Sequence, residues 1–331
     1  MVMRRQTITL AVAALLAINT SSATDTRQGI FNPAFHSLQV SPSANWMAPP
    51  VINLDSPEQI VIEFDEIAED RRYMRYRLIH CNADWQPSGI TEAEYLDGFN
   101  IGDITDFDFS QATTVHYVHY RLALPNEQMR PLLSGNYLVQ IYDEQDPDTI
   151  LLQARFMLNE NTSSINTALT SRTDVDYIMS HQQLAIEIDT EHSNVRDPFN
   201  DLRVVITQNN RQDNAVTLQQ PLRIHGHTAI YEHQKPLIFA AGNEYRRFEI
   251  INTQYPTMGV DEIAYAEPYY HFRLRTDQKR AGQPYAYDQT QHGRYFIREY
   301  NSSRPDIEAD YVVTHFQLDM PQIQDADIYI D

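Results

Sequence analysis

The segment RLIHCNADWQ, residues 77–86, gathers the residue types of a nucleophilic centre. Cys81, the only cysteine of the chain, stands beside His80, with Asp84 and Trp85 close behind. A thiolate activated by an imidazole that a carboxylate orients would attack an electrophilic carbon. That chemistry requires the thiol and the ring to meet, so the surrounding element decides the matter. The alternation of Met74, Tyr76 and Leu78 predicts a strand in which His80 continues the core face and Cys81 lies on the opposite one. Adjacent side chains on a regular strand diverge, so Cys81 reads as a small packed apolar residue and Trp85 as a strand-end aromatic against a core.

The other candidate constellations are thinner. His116 and His119 are three apart and face opposite ways on a strand, whereas His225 and His227 could point the same way but have no evident acidic third ligand. No metal is expected. Asp106 and Asp108 form a carboxylate pair, yet with 45 acidic residues such pairs arise by chance. No HExxH, GxSxG, P-loop or GxGxxG pattern occurs, and no cofactor and no enzymatic activity are expected.

The strands that would position these residues recur along most of the chain. QIVIEF places Ile60, Ile62 and Phe64 inward and leaves Val61, Glu63 and Asp65 outward. Val118, Tyr120, Leu122 and Leu124 form one face of the next run, Tyr137, Val139 and Ile141 another, and Ile150 to Leu158 a third. Turn residues such as Pro87, Gly89 and Gly98 separate them, as in a β-sandwich. In LSGNY a glycine precedes Tyr137 by two residues, which places a tyrosine-corner hydroxyl against upstream backbone, as in immunoglobulin and fibronectin-like domains. After the polar stretch 159–173 the alternation resumes in QLAIEID, DLRVVIT, RRFEIIN, YYHFRLR and RYFIREY. The expected organisation is therefore all-β: a signal peptide at 1–23, a first β-sandwich at 24–158, a linker at 159–173, a second sandwich at 174–305, and the opening of a further β domain at 306–331 that stops inside a strand.

The N-terminus supports export. Arg4 and Arg5 precede an apolar run from Thr7 to Ile18 and a small-residue site at Ser21, Ser22 and Ala23, the pattern of a cleaved secretory signal. Cleavage would leave 23 basic residues against 45 acidic ones, a formal charge of −22. Such a balance argues against nucleic acid, whose phosphates need cationic partners. One cysteine cannot form an internal disulfide, so an exported chain of this size must be held by its own apolar cores. No segment after the signal is long and apolar enough for a membrane span.

Longer words then carry a resemblance. YMRYRLIHCNADWQPSGITEAEYLDGFN at 73–100, HYRLALPNEQMRPLLSGNYLVQIYDEQDPD at 119–148, ARFMLNE at 154–160 and AAGNEYRRFEI at 240–250 resemble the N-terminal region of the plug proteins of the bacterial type IX secretion system, a family of Bacteroidota. The resemblance implies a non-enzymatic periplasmic protein that seals the periplasmic opening of the large outer-membrane β-barrel translocon, its partner, with no small-molecule substrate. Recognition on a rigid sandwich commonly sits in loops, which selects the turn-rich segment DWQPSGITEAEYLDGFN and within it Trp85, Tyr95, Asp97 and Phe99 as partner-binding residues. Trp85, Tyr95 and Phe99 could instead form the aromatic platform of a carbohydrate-binding module, the alternative function. A hydrolase using Cys81 or a carboxylate pair is the third reading, and it requires Cys81→Ala to abolish turnover.

Overall fold

The computed structural model describes residues 25–176, 180–241, 245–278 and 290–319. The expected signal peptide and the last residues of the 306–331 stretch lie outside them.

Twelve strands build the first core: β1 (Gly29–Ile30), β2 (Phe35–Pro42), β3 (Val51–Asn53), β4 (Ile60–Glu66), β5 (Met74–Cys81), β6 (Leu96–Gly98), β7 (Gly102–Asp103), β8 (Asp106–Phe109), β9 (Val118–Leu124), β10 (Met129–Pro131), β11 (Gly135–Asp143) and β12 (Asp146–Asn159). A six-stranded sheet runs in the order β1-β12-β11-β5-β7, with β3 also on β12, and a four-stranded sheet runs β2-β4-β9-β8. Their inner faces share one core, because the alternating apolar residues of each strand cannot be buried within a single sheet. Ile60, Ile62 and Phe64 meet Met74, Tyr76, Leu78, Tyr137, Val139, Ile141 and Phe156 there, as the alternation predicts. Phe64 stacks on Tyr120 and Tyr137 on Phe156, each with ring centroids 5.3 Å apart. Each large side chain so buried contributes ~1.5–3 kcal/mol. The Tyr137 hydroxyl donates to Leu133 O at 2.7 Å, the upstream backbone contact expected of that tyrosine.

The next strands are β13 (Ser164–Thr170), β14 (His181–Asp189), β15 (Val204–Ile206), β16 (Val216–Leu218), β17 (Arg223–His225), β18 (Thr228–Tyr231) and β19 (Ile238–Ala240), with a one-turn helix, α1, at Pro198–Asp201. A five-stranded sheet has the order β13-β14-β18-β17 with β19 also on β14, and β15 pairs with β16. Ile186, Ile188, Leu218, Ala229, Tyr231 and Leu237 form its small core, with Leu184, Leu202, Val204 and Ile206 against it. Part of the stretch 159–173 is thus a strand. Thr167 lies between Ile165 and Leu169, and the three pair in register with Ile186, Ile188 and Leu184 of β14.

Finally come β20 (Val260–Ala266), β21 (Tyr269–Leu274), β22 (Asp277–Gln278), the turn of helix α2 at Pro305–Glu308, β23 (Val312–His315) and β24 (Leu318–Asp319). β21 lies between β20 and β23, and β22 pairs with β24. YYHFRLR supplies β21 as expected, but RRFEIIN and RYFIREY form no strands. Instead, the segment 294–311 crosses the outer face of the four-stranded sheet. Arg294 donates to Trp46 O at 3.0 Å, Phe296 packs on Trp46, Gln111 N donates to Ile307 O at 2.7 Å, and Thr114 N donates to Asp310 Oδ1 at 2.6 Å. These long-range partners take the place of a strand ladder. Asp65, expected to face water, is consequently buried at 3% exposure through Tyr311, and Val61, expected on the same face, is 6% exposed. The described chain is all-β in several discrete sheets.

Candidate functional site

The segment between β5 and β7 is folded from its own side chains. A one-turn helix at Glu92–Tyr95 starts with a capping box in which Thr91 and Glu94 satisfy each other's backbone N–H groups. The chain then enters β6, which pairs with β10 through Leu96–Pro131, Asp97–Arg130 and Gly98–Met129. Asn100 anchors the loop between β6 and β7. Its Oδ1 accepts from Leu78 N at 2.7 Å and its Nδ2 donates to Leu78 O at 2.8 Å and to Glu92 Oε1 at 2.7 Å. One amide side chain therefore stands in for a neighbouring strand on the edge of β5 at Leu78, holding the N–H alone and sharing the C=O with the Tyr95 hydroxyl. Gly98 has φ +111°, and a Cβ there would lie 2.1 Å from Gln128 O; at Gly102 a Cβ would lie 2.3 Å from the Tyr76 ring. The two glycines let the loop lie flat against the domain at both ends while Phe99 and Ile101, either side of the anchored Asn100, remain 86% and 58% exposed.

The four residues singled out in the sequence are separated by this geometry. Phe99 is the most exposed of them. Asp97 is exposed and ion-paired with Arg130 at 2.5 Å. Tyr95 is buried, its hydroxyl donating to Leu78 O at 3.0 Å, and burial pushes its pKa up to about 12. Trp85 is not part of the core cluster; it sits in a turn at φ +65° with the Arg155 guanidinium 4.4 Å from its ring centre. With Tyr95 buried and Trp85 covered by Arg155, the three aromatics present no shared platform for a sugar ring. The anchoring role of Asn100 was missed in the sequence, although its bracketing in GFNIG was the available signal.

The nucleophilic reading of RLIHCNADWQ fails on contacts. His80 faces inward, Nδ1 to Ser88 Oγ at 2.8 Å and Nε2 to Ser134 O at 3.1 Å, between the rings of Tyr95 and Tyr137. Cys81 is buried on the other face and its Sγ lies 3.6 Å from Ile79 O. Burial pushes its thiol up, against thiolate formation, with a partial offset from the Arg155 charge. Asp84 caps its own turn through Gln86 N.

A second cluster assembles where segment 294–311 crosses β4. Asp65 accepts from the Tyr311 hydroxyl at 2.6 Å on one oxygen and meets His119 Nδ1 at 2.7 Å on the other, and Ser37 Oγ lies 2.7 Å from the Tyr311 hydroxyl. Burial alone would lower the His119 pKa, but the Asp65 hydrogen bond and charge outweigh it and hold it above the usual imidazole value. Burial, followed by the Asp65 charge, holds Tyr311 firmly protonated. Serine, aspartate and histidine are present, but Ser37 bonds to a phenol and not to the imidazole, so no nucleophile sits beside a base. In the adjacent polar cleft of about 270 Å³, Arg121 lies 3.5 Å from Glu63 and 3.8 Å from Asp106, and Arg304 lies 2.7 Å from Asp108. Among the described residues there is no group of three or more side chains that could hold a metal, and no helix long and apolar enough to cross a membrane. The arrangement offers binding surface and interlocking contacts.

Comparison with known proteins agrees. No curated protein matches the chain in sequence. A crystal structure of a hypothetical protein from Parabacteroides merdae is 39% identical, with a TM-score of 0.87 over 90% of this chain and 75% of that one. An alkylpurine DNA glycosylase from Pseudomonas fluorescens, bound to DNA containing an abasic site analogue, aligns at 15% identity over 38% of this chain and 30% of its own, with a TM-score of 0.23. Residues 35–160, which span the two-sheet core and the Phe99 loop, match the type 9 secretion system plug protein 1st domain. The chain therefore belongs to the type 9 secretion system plug proteins.

Proposed function

We propose that this plug protein meets the large outer-membrane β-barrel translocon through the loop Gly98–Gly102, with Phe99 as its leading contact. Family membership gives the role itself: a non-enzymatic plug, periplasmic and associated with the outer membrane, whose partner is the translocon. The observation that carries the contact surface is the 86% exposure of Phe99 on a loop held by three Asn100 hydrogen bonds. A large aromatic presented on a rigid mount forfeits little conformational entropy on docking, the profile of an interface hot spot. Asp97 and Trp85 flank it as rim contacts, while the buried Tyr95 supports the loop from within. The Arg155-covered Trp85 and buried Tyr95 give the carbohydrate-binding alternative no comparable footing.

Residues 24–158 read as an immunoglobulin or fibronectin-like sandwich, supported by the Tyr137–Leu133 contact and the two facing sheets. Residues 174–305 read as a second sandwich, for which the small core of β14–β19 and the β13–β14 ladder give support up to Ala240, whereas Arg294 and Phe296 pack on the first domain. The test is recovery of the translocon from detergent-solubilised envelopes by the tagged protein. Phe99→Asp lowers recovery by about 30-fold, the equivalent of one 2 kcal/mol hot spot. Phe109→Asp, at another exposed aromatic, leaves it unchanged, and full recovery by Phe99→Asp would refute the assignment.

A further inference from the structure

A different surface, away from the Phe99 loop, carries a second binding edge. All seven residues of β13, Ser164–Thr170, are exposed. Among the described residues the strand is bonded on one side only, in an unbroken antiparallel register from Ser164–Asp189 to Thr170–Gln183 of β14, and it ends the sheet. Opposite residues of antiparallel strands share a face, so Ile165, Thr167 and Leu169 stand in the same row as Ile188, Ile186 and Leu184. That row is the core face of the sheet, yet Ile165 and Leu169 are 63% and 65% exposed and lie outside the core cluster. Its start is tied down by Glu160, whose carboxylate accepts from Ser134 Oγ at 2.8 Å. Exposed sheet edges are normally blunted by lysine, proline, inward charge or a bulge, because unpaired backbone groups recruit other strands. SINTALT has no charge and no proline, and the ladder has no bulge.

We propose that β13 is a strand-addition edge that receives an extended segment of a partner protein, apolar at alternate positions and neutral or basic. Three features specify that occupant. A free strand edge is complementary to an extended backbone and to little else. Ile165 and Leu169 lie on one face four residues apart, about 13 Å along a strand, so two apolar side chains on the same face of the incoming segment complete their burial. The strand itself carries no charge on a chain of formal charge −20, so an acidic segment, including a second copy of this chain, is repelled where a neutral or basic one is not.

The experiment follows amide hydrogen exchange of the whole mature protein with a lysine-flanked threonine–valine nonapeptide as the probe. The expected result is about tenfold slower exchange confined to 164–170 when the peptide is in roughly tenfold excess over its dissociation constant. A glutamate-flanked version binds more weakly, and a version N-methylated along one edge, which cannot complete the ladder, gives no protection. The double variant Ile165→Lys/Leu169→Lys changes only exposed side chains and loses the protection; unchanged exchange in β14 and β18 certifies its fold. Absence of protection at millimolar peptide, equal protection by the N-methylated peptide, or protection that appears with rising protein concentration alone would each overturn the proposal, the last in favour of a second copy as occupant.

Discussion

The first core and the second are made from the same strand pattern but closed to different extents. Among the described residues, 25 buried apolar side chains from two facing sheets form the first, against six in the second. The first is also covered from outside, since segment 294–311 reaches β4 and Tyr311 bonds to the buried Asp65. The second leaves β13 bare on its faces and its edge. Stability and availability for binding thus diverge within one chain: a closed core can mount a projecting loop such as Phe99–Ile101 without yielding, whereas an open one presents backbone and apolar surface directly.

The largest expected effect tests that difference in closure. Phe156→Ala in the first core costs ~3–5 kcal/mol and Leu237→Ala in the second ~2–3 kcal/mol, because a small half-open core relaxes around a lost side chain more readily. Denaturant titration measures both, and a larger cost for Leu237→Ala would break the comparison. Next comes the cover. Asp65→Asn removes the charged acceptor between His119 and Tyr311, at ~1.5–3 kcal/mol, and amide exchange at 304–311 rises before that of β9. The same contact has a pH signature: because the folded pKa of His119 is raised, its stabilisation is complete below the unfolded value of about 6.5 and is lost as the pH climbs through the raised one. Thermal melts of the parent and His119→Gln therefore differ most in mild acid and converge in alkali; divergence towards alkali would contradict the Asp65–His119 assignment.

A smaller effect separates mount from contact. Asn100→Ala leaves the Leu78 N–H without its side-chain partner while Tyr95 still donates to the C=O, costing ~1–3 kcal/mol of stability, and it weakens translocon recovery less than Phe99→Asp does. Smallest of all, Cys81→Ala shifts stability by about 1 kcal/mol and alters no binding, since its thiol only fills space.

Period-two alternation made the inner faces legible because each strand reports its own burial: Ile60, Ile62 and Phe64 were readable without knowing their neighbours. Tyr137 was legible for a similar reason, its hydroxyl reaching a residue only four positions away. The hidden features depended on contacts distant in the chain. Asp65 looks like a solvent-facing residue until Tyr311 is brought to it, and the aromatic-rich run RYFIREY imitates a strand while its partners are Trp46 and the backbone of the first core. Adjacent residues misled in the opposite sense. His80 and Cys81, side by side in sequence, face apart, whereas Asp65, His119 and Tyr311 are linked only in space. Of the proposed contact residues, Phe99 could be picked out by type and loop position, but Tyr95 could not be separated from it, because burial of a loop aromatic depends on the Leu78 carbonyl beneath it.

The proposed contact sets the Phe99 loop, mounted on the closed first core, against the translocon. Photo-crosslinking in intact cells tests it most directly, with a benzoylphenylalanine placed at position 99 in one strain and at position 109 in another. An adduct with the large outer-membrane barrel is expected from position 99 and none from position 109. An adduct from position 109 alone would contradict it.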